Sequence, residues 1–463
     1  MDTYDTIYGG SRGKHDTCAG ALALGALAAY SRAALRRLWN FQTLYNESVI
    51  VRNFRDNNGG RLLQLGVSHR VIRCKGTTVA PLQEHTGSPV ALPATFQWKG
   101  AHFNTEHFMR ETWTTGLLVL KVDGVQSARV LFERYRLGND VNSRCMSWSV
   151  GKSILSALFG VACSEGLIGD INVKTVTDYL PQLQGTAYEG VRLKDILQMS
   201  SGIKFGEEYS SPFSDINRMG YSLAFGWSIE SFIKSLKKRD HEPGTYNNYV
   251  SMDSQVLGLV LAQVVRARGY TLSSYLEEKI WSKAGFQANA TWWLDNDKDQ
   301  MELAIGTLGI TTRDYARFGW LFLNGGLSPA TGDRLIAEEW VRASTTADAP
   351  HLQPGPNANA GKDCQFCGYG YQWWLPPGDD APSGPCEAAG DYMVFVHVHV
   401  EMKLQHLIYR SVLYSRVYCK VMYRCCYLFT HAHTREHTLG NWDLQPVHLR
   451  VAQRQGCRCQ EFR

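Results

Sequence analysis

Residues 145–170 read CMSWSVGKSILSALFGVACSEGLIGD. From Ser149 to about Glu165 the apolar residues recur at helical spacing, which predicts a strongly apolar helix that has to be buried. Ser149 and Lys152 stand at its head, three residues apart, and that spacing puts both on one helix face. The pair is therefore expected to be partly buried at a helix N-terminus, where unmatched backbone N–H groups gather.

The patterns on either side are segregated by type. Residues 92–112 read as a short strand, a turn and a helix, and residues 114–138 alternate around Asp123-Gly124 as a hairpin does. After Ser149 the patterning turns helical. Residues 166–183 read as a turn and a helix, and 193–202 as a short helix closed by Gly202. Further helices are expected over 225–240, 251–269 and 311–326, the last with a Thr cap and a terminal Gly pair. Residues 367–378 read as a strand ended by Pro-Pro. Strands, then helices, then a strand predict an α+β fold: an antiparallel β-sheet flanked by helices, with a helical subdomain.

Composition adds a few bounds. At 463 residues, 44% hydrophobic and 20% charged, the chain is an ordinary globular one. A net charge of +5 is too small to argue for nucleic acid, and no nucleic-acid partner is expected. Residues 17–31 (TCAGALALGALAAYS) carry no charge, yet are short of the about 20 apolar residues of a spanning helix. They fit an N-terminal anchor, an export signal or an organelle-targeting helix; an Ala-rich helix packed on the body is the plainer reading. Past them no window resembles a membrane span. The charge is uneven: Val396–Arg463 holds ten Lys and Arg against four Asp and Glu. That tail also has seven of the 14 His, five of the 12 Cys and two of the 43 Gly. The expected organisation is a leader over 1–40, a main domain over 41–395, and an atypical His- and Cys-rich tail over 396–463.

A serine hydroxyl is a poor nucleophile at neutral pH and needs a base within hydrogen-bond reach. An amine in an apolar cleft loses solvation and moves toward the range where it accepts a proton. Spacing alone does not separate this from an ordinary surface pair. A second stretch adds to it: PGTYNNYVSMDSQVLGLVLAQV (243–264) sets a turn and Tyr249 ahead of an apolar helix, with Ser251 two residues on. A tyrosine beside a cationic lysine can carry a proton to and fro; otherwise Tyr249 is an ordinary half-buried turn residue.

SWSVGKS, LKDILQMSSGIKF, PGTYNNYVSMDSQVLG, GTLGITTRDYARFGWLFLNGG and YGYQWWLP occur in this order. In order and rough spacing they resemble the serine β-lactamase-related family over about residues 90–395, and its class C-type branch most. That branch holds esterases, D-aminopeptidases and 6-aminohexanoate-dimer hydrolases. The resemblance implies roles for residues at matching positions. Ser149 matches the acylated serine and Lys152 its lysine partner. Tyr249 matches the tyrosine that serves as general base and acid. Ser251, as a substrate-binding residue, stands where Asn is common. It implies the family's sheet-and-helix fold and a serine hydrolase acting on a small ester, amide or peptide-like substrate, without metal or cofactor. Tyr209, Tyr371, Trp373 and Trp374 are candidates for cleft walls, or for core packing.

The likeness breaks near residue 396. The family carries there a cleft strand with Lys-Thr-Gly, His-x-Gly or a Gly-rich equivalent, which supplies an oxyanion-hole N–H. Here no Gly follows Phe395 until Gly440. VFVHVHV (394–400) still alternates as a strand, and His397 or His399 is a candidate replacement for the missing polar group. The absent motif speaks against efficient β-lactam hydrolysis. It also supports an alternative, a catalytically inactive scaffold or binding protein with the same fold. The tail histidines and cysteines, and Cys364/Cys367, lack a matched second pair at zinc-site spacing, so no metal site is assigned.

Overall fold

A computed structural model describes residues 68–399 except 77, 88–90, 99, 100, 113, 209, 210, 212, 225, 297, 354–367 and 376–391. The 17–31 segment, Tyr209, Cys364, Cys367 and the tail after His399 lie outside the described residues. The boundary expected at residue 40 lies outside the described residues too, and residue 395 falls inside a strand that runs from Tyr392 to His399.

The alternating stretch after residue 113 forms a hairpin, β5 (Thr114–Gly124) and β6 (Ser127–Tyr135). Gly124 pairs with Ser127 across a turn at Val125-Gln126. Every residue of β5 from Thr114 to Leu120 is buried, so this strand is covered on both faces, whereas β6 alternates. On its other edge β5 pairs antiparallel with β12 (Tyr392–His399), Phe395 opposite Val119. β2 (Leu82–Glu84) joins β6 in parallel and completes a four-stranded sheet. A second sheet of four strands is wholly antiparallel. Its order is β1 (His69–Ile72), β8 (Ala290–Trp293), β9 (Leu308–Thr311) and β7 (Arg144–Met146). β3 (Thr95–Trp98) and β4 (Ala101–Asn104) form a small hairpin leading into α1 (Thr105–Glu111).

The remaining helices are α2 (Val150–Ser164), α3 (Val176–Tyr179), α4 (Leu193–Leu197), α5 (Asp215–Ala224), α6 (Ile229–Ser235), α7 (Ser251–Arg266), α8 (Leu272–Leu276), α9 (Thr312–Leu323) and α10 (Glu338–Ser344). The expected α+β fold is what forms, and among the described residues the strands pair antiparallel except for the short β2–β6 contact. The apolar run beginning at Val150 is α2, buried from Gly151 to Ala162 and set against α7 and α10. Thr311 caps α9 by accepting the Asp314 N–H, and the helix lies on β5 and β12.

One local expectation is refined and two are corrected. The helix expected within 166–183 forms but is short: α3 gives way to a 3-10 turn, Pro181–Leu183, because Pro181 cannot continue the helix. α4 is not closed by Gly202. It ends where Met199 takes φ +52 and the Ser200 N–H reaches back to the Asp195 carbonyl. That is the glycine-type helix stop with a methionine in the left-handed position. Gly202 instead lets the chain meet the 241 segment: a Cβ there would lie 2.1 Å from the His241 carbonyl oxygen. Finally, residues 367–378 are not one strand. β10 (Gly368–Tyr369) and β11 (Trp374–Leu375) fold back on each other, with Gln372 at φ +61 in the turn.

Candidate active site

β7 leads directly to the site. Met146 pairs with Gly309, and Ser147 extends the contact, giving its N–H to the Leu308 carbonyl and accepting the Leu308 N–H on Oγ at 3.1 Å. The chain then turns sharply: Trp148 sits at φ +43, a conformation costing an L-residue on the order of 1–2 kcal/mol. Ser149 follows as the N-cap of α2, half-buried, with no capping bond from its side chain. Its hydroxyl is thereby left for other chemistry.

Lys152 is 2% exposed. Its Nζ lies 3.2 Å from Ser149 Oγ, donates to the Ile305 carbonyl, and stands 5.3 Å from the centroid of the Tyr249 ring. One amine therefore hydrogen-bonds the serine and lies over the face of the tyrosine ring. The helix-spaced pair is brought together as its spacing suggests, and the tyrosine arrives from about 100 residues further along.

Two turns that interlock hold Tyr249. Asn248 N–H binds the Met199 carbonyl at 2.8 Å, and buried Asn247 gives its Nδ2 to the Gln198 carbonyl at 2.8 Å. Gly244 N–H binds the Ser200 carbonyl at 2.7 Å. The left-handed Met199 aims these carbonyls at the tyrosine loop. The phenol ring stacks on Trp374 at 5.3 Å, and Tyr369 meets both rings edge-on. Of the cleft-wall candidates, Trp374 is thus beside the site. Trp373 packs on Phe318 and Phe322, and Tyr371 on Trp340, so both belong to the core.

Ser251 is placed differently from an open substrate contact. It is 2% exposed, and both its N–H and its hydroxyl are given to the Glu207 carboxylate, at 3.0 and 2.5 Å. The expected row of open N–H groups at the head of α2 is also altered. Those of Val150, Gly151 and Lys152 bind the carbonyls of Ser147, Trp148 and Ser149. Among the described residues the N–H at this helix head not engaged in that way is that of Ser149, which can serve an oxyanion. His397 and His399 lie in β12, their backbones opposite Leu117 and Thr114.

Sequence reasoning missed three contributors. The Ile305 carbonyl is invisible in sequence because any residue carries one. Gly306, at φ +137, lets the 305–306 backbone rest on the turn before Ser149, and its place in the GTLG run is the only signal. Gln372 is the third, 2% exposed. Its Nε2 binds the Ile196 and Leu197 carbonyls, its Oε1 accepts from Ser254, and its carbonyl accepts from Ser153. It ties α2, α4 and α7 to the β10–β11 turn.

A buried acid lies behind the tyrosine loop. Asp253, in the first turn of α7, accepts the Tyr188 hydroxyl at 3.0 Å. Burial pushes its carboxyl up to about 8; bonds from Ser201 and Tyr188 pull the other way, and the Glu207 charge adds to the rise. The folded state therefore keeps a proton that the unfolded chain releases near pH 4, and wild-type stability falls as pH rises from about 4 to about 8. Asp253→Asn should remove that slope. Relative to wild type the variant should gain on the order of a few kcal/mol between those limits, read from urea unfolding at several pH values. An unchanged difference across that range would refute the assignment.

Among the described residues no helix is long and apolar enough to cross a membrane, and no group of three or more His, Cys, Asp or Glu could hold a metal ion.

A profile of the beta-lactamase family matches residues 86–398. A 6-aminohexanoate-dimer hydrolase of Paenarthrobacter ureafaciens is 30% identical over 248 residues, 51% of this chain. The match spans 58% of that relative's length. A solved Bacillus anthracis protein, provisionally named a 6-aminohexanoate-dimer hydrolase, is similar at a TM-score of 0.58 and 19% identity. That match covers 77% of this chain and 92% of the Bacillus protein, and it speaks to the fold.

Proposed function

The chain belongs to the beta-lactamase family, and from that premise we propose that it is a serine hydrolase cleaving an amide or ester bond through an acyl-enzyme on Ser149. The observation that carries the reading is the single buried amine of Lys152, 3.2 Å from the serine oxygen and 5.3 Å from the Tyr249 ring centroid. A nucleophile needs a proton acceptor at that distance, and a leaving group needs a donor close by.

In the first step Ser149 Oγ attacks the carbonyl carbon, and its proton passes to the Lys152–Tyr249 pair. The carbonyl oxygen takes the negative charge and faces the Ser149 N–H. The tetrahedral centre collapses as the pair returns a proton to the departing amine or alcohol. Ser149 is left as an ester. Water, deprotonated by the same pair, then attacks that ester and releases the acid, and the serine recovers its proton. The Ile305 carbonyl holds the amine in place while protons move.

The substrate class is a small amide, ester or peptide-like molecule. The name of the Paenarthrobacter relative, a hydrolase of a 6-aminohexanoate dimer, supports an amide as the target. The half-buried Trp374 ring stacked on Tyr249 supports an apolar or planar group next to the scissile bond.

The test is chemical. The full chain is incubated with a fluorophosphonate, digested, and the adduct located by mass spectrometry. Modification of Ser149 is expected. A folded protein that takes no label there, and turns over no ester, amide or β-lactam, would establish the inactive scaffold instead.

A further inference from the structure

Glu207 lies in the loop between α4 and α5, and nothing in the chemistry above uses it. Its carboxylate is half-buried, and both oxygens are given to one residue: Oε2 accepts the Ser251 N–H at 3.0 Å and Oε1 the Ser251 hydroxyl at 2.5 Å. Ser251 is the first residue of α7, two beyond Tyr249, and its neighbours Val250 and Met252 are buried. Without an acceptor its N–H and hydroxyl would be stranded in an apolar setting, which is unfavourable for each group.

The location matters more than the energy. Ahead of the phenol the turn is fixed at Asn247 and Asn248 by the Gln198 and Met199 carbonyls. Behind it Glu207 fixes the head of α7 at Ser251. Tyr249 is suspended between these two anchors, with Trp374 setting the plane of its ring. If the second anchor is released, the ring is free to leave the position in which Lys152 stands over it.

We propose that Glu207 is a positioning residue, clamping the head of α7 through Ser251 so that the Tyr249 phenol stays beside Lys152. The inference rests on the reading of Tyr249 as the proton carrier. Glu207 acts through Ser251, whose N–H and hydroxyl it holds. This also gives Ser251 a role that its buried position suits, as the receiving end of the clamp.

The experiment compares hydrolysis of a p-nitrophenyl ester by the full-length wild type, Glu207→Ala, Glu207→Gln, Ser251→Ala and the Glu207→Ala/Ser251→Ala double variant. It is run at a temperature where each keeps a wild-type circular dichroism spectrum. Glu207→Ala should lower kcat about tenfold or more with KM within about twofold, since the phenol is displaced and substrate contacts are not. Glu207→Gln should recover kcat to within about threefold, because its amide oxygen still accepts from Ser251. The double variant should be no slower than Glu207→Ala, since both remove the same clamp. A wild-type kcat in Glu207→Ala, losses that multiply in the double variant, or no recovery with Gln would each overturn the proposal. Should Glu207→Ala fail to fold, Ser251→Ala decides, a kcat within twofold of wild type being the adverse result. Labelling of wild-type Ser149 by the fluorophosphonate tests the hydrolase reading separately. If the wild type proves inert, crystal structures of wild type and Glu207→Ala still decide the clamp. A Tyr249 ring moved by about 1 Å or more supports it, and superimposable rings refute it.

Discussion

Ser149→Ala is expected to lower ester and amide turnover on the order of 10⁴-fold and to abolish fluorophosphonate labelling. The reason is covalent rather than structural. The hydroxyl makes no capping bond to α2, so its loss leaves the helix start intact. Only the hydrogen bond from Lys152 disappears, and that amine keeps the Ile305 carbonyl. The variant should therefore unfold within about 1 kcal/mol of wild type in urea while its chemistry is gone. Turnover that survives in a folded Ser149→Ala protein would remove the acyl-enzyme from consideration.

Gly306→Ala is expected to be damaging in both respects at once. At φ +137 an L-side chain is already strained. An added Cβ would lie 2.2 Å from the Trp148 carbonyl oxygen and 3.1 Å from the Ser149 nitrogen, so backbone has to move. Two things sit on that backbone: the strained turn that presents Ser149, and the neighbouring Ile305 carbonyl that holds Lys152. A loss of about 3 kcal/mol in stability is expected. Among molecules still folded, a fall of about 10²-fold in kcat should follow from displacing the serine and the amine relative to each other. Equilibrium unfolding and kinetics on the same preparation separate the two effects. Wild-type values for both would show that the strap over the serine is not what holds it.

The contrast between these two positions shows how much the sequence carries. Ser149 and Lys152 are legible because helix periodicity converts a spacing of three into proximity. Their meeting is a local event, and local events survive in a one-dimensional pattern. The hairpin at 114–135, the buried helix after Ser149 and the Thr-capped α9 were legible for the same reason. Where tertiary context overrode a local signal, the pattern misled. Gly202 looks like a helix stop, yet Met199 takes the left-handed position because the carbonyls around it are needed by the 247–248 turn. The GYGYQWW run looks like a strand, yet Gln372 is turned inward to bind the ends of α4 and α7.

Taken alone, the sequence determined the α+β class, the apolar helix with its serine and lysine, and, through the order of its motifs, the family. It could not determine which atoms surround that pair. The Ile305 carbonyl, the Gly306 crossing, the stacking of Trp374 on Tyr249 and the Glu207–Ser251 bond all join residues far apart in the chain, the nearest pair 44 positions from each other. Such contacts depend on how sheets and helices meet, and the identity of a residue says little about a partner that only folding supplies. Tertiary structure also decided that Ser251 is covered rather than open, because burial is a property of everything packed around a residue and not of the residue itself.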